Sequence, residues 1–239
     1  MTITINLTDD TGLDSNTAAV WVAGWINGSS NDSKFKILQS GGTFADPGGT
    51  PELPFHHVSD VASITLNEQT NGDDRLVFVV AKNQPDPLNI DNANPIQYAQ
   101  YPYAAKPGTS VEPAGPYDVF EFGMNAQFNV TAVSGFGLNL RFSATDPNTG
   151  ALQHFGMESG VSRAQIGAAY QAFIAREAES FPAAGDYAEL LYTNALPRSG
   201  YMPPMIEGEY FAICDPNDML VLIKFANWRS NASKEICDD

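Results

Sequence analysis

The side chains of this sequence best placed to act together are Glu121, Asn129 and Thr131. They lie in two stretches, Tyr117-Asp118-Val119-Phe120-Glu121-Phe122 and Phe128-Asn129-Val130-Thr131-Ala132-Val133, joined by residues 123–127. Both stretches read as β-strands, and the connection between them reads as a hairpin turn. Side chains alternate between the faces of a strand, so Phe120 and Phe122 share one face and Glu121 takes the other. In the second stretch Phe128, Val130 and Ala132 form the apolar set, while Asn129 and Thr131 face away. Turning both apolar sets to a core gathers a carboxylate, an amide and a hydroxyl on the opposite face, which is expected to be polar. Such a row can donate and accept hydrogen bonds, and its carboxyl group can carry a proton.

The same stretch resembles a known signature. Glu121-Phe122, followed by Phe128-Asn129-Val130-Thr131-Ala132-Val133-Ser134-Gly135-Phe136-Gly137-Leu138-Asn139-Leu140, is similar to the thaumatin-like pattern. In that pattern an Ala-Glu-Phe-Thr strand precedes Tyr-Asp-Val-Ser-Leu-Val-Asp-Gly-Phe-Asn-Leu-Pro-Met. The β-1,3-glucanases of glycoside hydrolase family 64 share the element. The resemblance reaches residue detail only over 117–140, and elsewhere covers the order of elements. It implies a mainly β fold with an α/β part. A thaumatin-like β-sandwich or barrel domain, residues 1–145 and 210–239, would pack against a smaller mixed α/β domain, residues 146–209, with a cleft between. Glu121 fills the position of the glucanases' general acid. Asn129 stands at a family Asp, keeping hydrogen bonding but losing charge. Ser134 stands where the family carries its proposed general base, and serine does not take a proton from water near neutral pH.

An inverting glycosidase needs two carboxyl groups roughly 6.5–9.5 Å apart, with a water between base and sugar. Removing a general base costs on the order of 10²–10⁴ in rate. Asp118, Asp146 and Glu158 are the substitutes within reach in sequence. Alternation points Asp118 to the Phe120 side, Asp146 sits in an ordinary turn sequence, and Glu158 has no assigned place. The acid–base pair implied by the resemblance is therefore incomplete.

The elements that must carry this row read as a β-rich framework. Met1 to Leu7 alternates apolar and polar residues like a strand. Val20-Trp21-Val22-Ala23-Gly24-Trp25-Ile26 reads as a buried strand ended by the turn signal Asn27-Gly28. Lys34 to Leu38 reads as its partner, with further strands at 61–66, 75–80 and 220–225. Prolines 85, 87, 95, 102, 107, 113 and 116 make residues 83–116 an extended connection, because proline lacks a backbone donor. Its tyrosines 98, 101 and 103 can stack on sugar rings or pin the loop to the body. One helix is expected after the capping box Ser162-Arg163-Ala164-Gln165, ending near Ser180-Phe181-Pro182. Its apolar face is Ile166, Ala169, Tyr170, Phe173 and Ile174, and its role is scaffolding.

Composition narrows the partners. The chain has 239 residues and a net charge of −16, from 12 Lys+Arg against 28 Asp+Glu. That field repels phosphate backbones and anionic membranes, whereas a neutral polysaccharide meets no such barrier. No stretch approaches the roughly 20 apolar residues of a membrane-spanning helix. The first residues show no basic start or apolar block of an export signal, which leaves a cytoplasmic chain or an exported one without its signal. With only Cys214 and Cys237, a disulfide framework is excluded, and one bond or two thiols remain open. No cofactor is expected and no metal site either. His56-His57 reads as loop packing, Asp215-Pro216-Asn217-Asp218 as a turn, and Trp21, Trp25 and Trp228 as core.

Three functions fit these residues. The first is a β-1,3-glucan hydrolase with Glu121 as acid, which would cut laminarin and lose cutting in E121Q. The second is a non-catalytic polysaccharide binder, which would sediment with insoluble glucan without releasing oligosaccharide. The third is an interaction protein on the same fold, whose cleft would be filled. Sequence leaves the oligomeric state and compartment open.

Overall fold

The structure, a computed structural model, describes residues 3–13, 18–27, 35–49, 52–66, 70, 72, 74–91, 94–95, 97–98, 110–123, 127–131, 135–145, 149–156, 160–192 and 212–214. The 220–225 strand, Asp146, Glu158, Ser134, Trp228, Cys237, Tyr101, Tyr103 and the 215–218 turn lie outside them.

The chain is mainly β. Its centre is a seven-stranded sheet, in the order Gln127–Thr131, Tyr117–Gly123, Asp74–Ala81, Ala19–Ile26, Lys36–Leu38 and Phe44–Ala45. His56–His57 adds to the Ala19–Ile26 strand beside Trp21 and Val22. Every pairing in this sheet is antiparallel. Among the described residues the path is open at Gln127–Thr131 and at Phe44–Ala45, so the sheet does not close into a barrel.

The two central strands read AVWVAGWI and DRLVFVVA, rich in β-branched and aromatic residues. That pattern belongs to strands covered on both faces, where neither set of alternating side chains meets water. Ala23, Trp25, Val77, Val79 and Tyr117 face one apolar cluster, with Leu53, Phe55 and Tyr98. Val20, Val22, Ile26, Leu76, Phe78, Phe120 and Phe122 face the other, with Ile64 and Leu66. Gly24 is required by this packing. A Cβ there would come within 2.5 Å of Leu76 Cδ2 and 3.0 Å of the Arg75 carbonyl oxygen.

The second cluster is capped by Ile3–Asn6 paired with Ser63–Leu66. The turn at Gly41 and Gly42 docks on that pair, where the Thr65 amide donates to the Gly42 carbonyl at 3.0 Å. Gly42 has φ +77° and a Cβ on it would lie 1.8 Å from the Ser63 carbonyl oxygen, so no side chain fits. The strand expected at 61–66 begins at Ser63, because Val58–Val61 forms a 3-10 turn capped by the His57 side chain.

The proline-rich connection does supply short edge pairs, Leu88–Asp91 with Glu52–Leu53 and Gln97–Tyr98 with Ser110–Val111. Tyr98 is buried, stacked 5.8 Å from Phe55 and edge-on to Tyr117 at 5.1 Å. It pins this connection to the core and offers no face to a sugar. Burial pushes its phenol above the ordinary range.

Beyond the main sheet the chain forms a hairpin, Arg141–Thr145 with Leu152–Gly156, and a three-stranded sheet of Gly135–Phe136, Ala212–Cys214 and Leu191–Tyr192. The helix Arg163–Ser180 starts at the expected capping box, with the Gln165 amide donating to Ser162 Oγ at 3.2 Å. Its expected apolar face is corrected. Of the five residues named only Ile174 is buried, while Ala169 is exposed and Phe173 is 48% exposed. The helix packs chiefly on the following 3-10 stretch Pro182–Leu190, where Tyr170 Oη donates to the Tyr187 carbonyl at 2.8 Å. Among the described residues the helix is covered along a narrow stripe, which leaves most of its side chains in contact with water.

Candidate functional site

The hairpin forms in the register that the alternation requires. Glu121 faces Asn129, Phe120 faces Val130, Phe122 faces Phe128, and Val119 faces Thr131. Directly opposed residues share a face, so Glu121 and Asn129 are neighbours on one side of the sheet. Thr131 holds its place in the register opposite Val119, and its side chain is outside the described set, as is all of Ser134.

The face itself differs from the expectation. It is not polar along its length, because Val119, Val77, Val79 and Tyr117 on it belong to an apolar cluster. Its charged side chains, among those described, stand at one end. There the cross-strand partners run Ile37, Trp25, Arg75, Glu121 and Asn129 over five adjacent strands. The row passes from buried Trp25 to exposed Asn129, so it emerges from the core as it crosses the sheet.

Arg75 is the residue that alternation within the hairpin alone does not reveal. Its Nη2 lies 2.7 Å from Glu121 Oε1, with side-chain exposures of 25% and 31%. Its guanidinium carbon sits 6.0 Å from the centroid of the Trp25 ring, at the reach of a cation–π contact. The sequence did carry a signal, since Arg75 is the one cation inside the apolar run DRLVFVVA. A cation in such a strand needs an anionic or aromatic neighbour, and register supplies both.

Behind the row, the start of the Asp74–Ala81 strand is fixed by a buried polar knot. The Asn27 amide donates to Asp74 Oδ1 at 2.8 Å, Thr70 Oγ1 donates to Asp74 Oδ2, and Asn27 Nδ2 donates to the Gly72 carbonyl at 2.9 Å. Asp74 is fully buried, and these donors replace its water. The knot holds Arg75 opposite Glu121.

Asp118 lies on the Phe120 side, as alternation requires, and is 5% exposed. Its Oδ2 accepts from the Gly137 and Leu138 amides, each at 3.2 Å, and its Oδ1 from the Val119 amide at 3.1 Å. Burial pushes its pKa up to about 7, against the downward pull of the Leu138, Val119 and Gly137 amides and the Arg163 guanidinium. The sheet separates it from Glu121, so the two carboxyl groups do not form an acid–base pair across one sugar.

No family model, curated protein or solved structure matches this chain. The chemistry of the site is accordingly read from its own geometry. Glu121 Oε1 is engaged by the Arg75 guanidinium at 2.7 Å, so one of its two carboxyl oxygens is already taken up in an ion pair. The ion pair and the exposed Asn129 amide together present charged acceptors, donors and a neutral amide along one edge. That set suits hydrogen bonding to hydroxyl groups.

The other candidates are structural. His56 Nε2 lies 3.1 Å from the Leu38 carbonyl, and His57 Nδ1 is 2.7 Å from Ser59 Oγ with its ring edge-on to Trp21. Among the described residues no group of His, Cys, Asp and Glu is arranged to hold a metal ion. Trp25 is core, and Trp21 is half-buried with Nε1 donating to the Ala81 carbonyl at 3.1 Å. No helix among the described residues is long and apolar enough to cross a membrane.

Proposed function

We propose that this protein binds a neutral polysaccharide of the β-1,3-glucan kind without cleaving it, along the Arg75–Glu121–Asn129 row. The observation that carries the reading is the 2.7 Å contact between Arg75 and Glu121. It commits Glu121 to an ion pair, beside which the exposed Asn129 can meet hydroxyl groups. The thaumatin-like sandwich, the division into 1–145 with 210–239 and 146–209, and the cleft between them belong to this proposal. It is supported by the hairpin register at residues 117–131. A neutral glycan also suits a chain of charge −16, which repels polyanions.

The test is sedimentation with insoluble β-1,3-glucan, with soluble products analysed in parallel. The wild-type chain is expected in the pellet with no oligosaccharide released. E121Q removes both the anion and the ion pair, and N129A removes the amide. A charged hydrogen bond contributes about 1.5–3 kcal/mol and a neutral one about 0.5–1.5 kcal/mol, so E121Q should bind roughly ten-fold more weakly or worse and N129A roughly two- to ten-fold more weakly. Oligosaccharide release that E121Q abolishes would return Glu121 to the role of general acid. Failure to bind any glucan would leave the interaction-protein reading.

A further inference from the structure

We propose that Asp118 is a proton-operated latch, closed on the Gly137–Leu138 turn when its carboxyl group is protonated and loosened when it ionises. The inference does not rest on glucan binding. Three observations carry it.

The first is placement. Asp118 is one of only three buried polar or charged residues among those described. It stands in the Tyr117–Gly123 strand opposite Phe78, with Phe120 beside it on the same face and Leu138 over it. The charged group that bears on it is Arg163, at the first turn of the helix.

The second is connection. Asp118 Oδ2 is the acceptor for two successive backbone amides, Gly137 and Leu138. The residues just before them, Gly135–Phe136, pair with Ala212–Cys214, which pairs in turn with Leu191–Tyr192. The residue just after, Asn139, donates from Nδ2 to the Val161 carbonyl at 2.6 Å, beside the helix cap. One carboxyl group thus ties the seven-stranded sheet to the segment from which the smaller sheet and the helix start are held.

The third is chemistry. An ionised carboxylate in water fills about four lone-pair sites, and here three backbone amides stand in for that shell. Phe78, Phe120 and Leu138 pack around it, so the charged form loses solvation on closing, and the Arg163 guanidinium offsets only part of that loss. With the proton on Oδ1, Oδ2 still accepts both amides and no charge is buried. The raised affinity for a proton, to about 7, follows from the same burial. Opening the turn rehydrates the carboxylate, so rising pH favours the open form until the closed form itself has ionised.

Amide hydrogen exchange read residue by residue tests this on the intact chain. After correction for intrinsic rates, the opening constants of the Gly137 and Leu138 amides should rise about ten-fold per pH unit from pH 5 and level off near 7. Their protection should stay below that of Val77 and Val79 in the sheet centre, which marks a local opening. In D118N the pH dependence should vanish. R163Q, which leaves Asp118 intact should D118N fail to fold, should carry the levelling point to higher pH. Opening constants flat in pH in the wild-type chain would overturn the latch. So would protection of the Gly137 and Leu138 amides equal to that of Val77 and Val79, which would make their opening that of global unfolding.

Discussion

At the scale of the residue, the Arg75–Glu121 pair fixes what this site can do. Both groups are about a quarter to a third exposed, so water screens their attraction. Cross-strand charge pairs contribute roughly 0.2–1 kcal/mol, and exposed pairs fall in the same range. The pair therefore matters more for orientation than for stability. It holds the guanidinium between a carboxylate on one neighbouring strand and the Trp25 ring on the other. A double-mutant cycle with R75M and E121Q should return a coupling of about 1 kcal/mol or less in thermal unfolding, decreasing in high salt. A coupling of several kcal/mol would mean that the pair is more buried than its exposure implies, and would weaken the case for an open binding edge.

At the scale of the element, the main sheet is joined to the 141–156 hairpin by stacked phenyl rings. Phe120 stacks with Phe122 at 5.7 Å and with Phe128 at 6.2 Å, and Phe142 meets Phe120 at 5.1 Å and Phe128 at 5.0 Å. Phe155 extends the stack at 5.8 Å from Phe142 and is 47% exposed. A two-stranded hairpin is marginal by itself, so this stack is what holds it on the sheet. F142A removes the middle ring. A fully buried Phe→Ala change costs about 3–5 kcal/mol, and the partial exposure of Phe142 lowers the expected cost to about 1–3 kcal/mol. Exchange protection should fall at Arg141–Thr145 and persist at Asp74–Ala81. F155A, at the exposed end, should cost under about 1 kcal/mol. Equal loss in both elements would show that the hairpin is an integral part of the core.

The same elements show how far the sequence could be read. Apolar runs, the first ended by the turn signal Asn27-Gly28, locate the Ala19–Ile26 and Asp74–Ala81 strands, and period-two alternation locates the Glu121–Asn129 neighbourhood on the Tyr117–Gly123 strand, because strand geometry is local. The capping box located the helix start for the same reason. Pairing order is not local. Nothing within 117–131 shows that Asp74–Ala81 lies alongside, so Arg75 stayed unseen as the partner of Glu121. The apolar character of Val119 was visible, yet a single solvent-facing side was assumed where the sheet is covered on both. The width of the helix's buried stripe is likewise not local, because an apolar stripe states that burial is possible and only tertiary packing sets how much of it is covered.

At the scale of the whole molecule, two effects oppose folding as pH rises, and they can be separated. The surplus of acidic groups gives −16 near neutrality, and its self-repulsion grows as the carboxyl groups ionise. Asp118 adds a buried contribution of the same sign. Its folded pKa, about 7, lies above the ordinary 3.8. The folded state therefore holds a proton that the unfolded state has released between those values. Stability from this group is fully present below about 4 and is lost as pH rises through about 7. Between pH 5 and 8 the loss amounts to ~3 kcal/mol, at about 1.4 kcal/mol for each pH unit over which only the folded state is protonated. Salt divides the two effects. The screening length falls from about 8 Å at 0.15 M to 3 Å at 1 M, which suppresses repulsion between surface carboxylates. It does not restore water to a side chain that is 5% exposed. Thermal unfolding in 1 M salt should therefore keep a decline in Tm from pH 5 to 8, and D118N should remove most of it. The variant should match the wild-type chain near pH 5 and exceed it at pH 8. If high salt alone flattens the wild-type profile, the decline belongs to the surface and Asp118 is solvated in the folded chain. If D118N lowers stability equally at both pH values, its hydrogen bonds to Gly137 and Leu138 outweigh the cost of its charge.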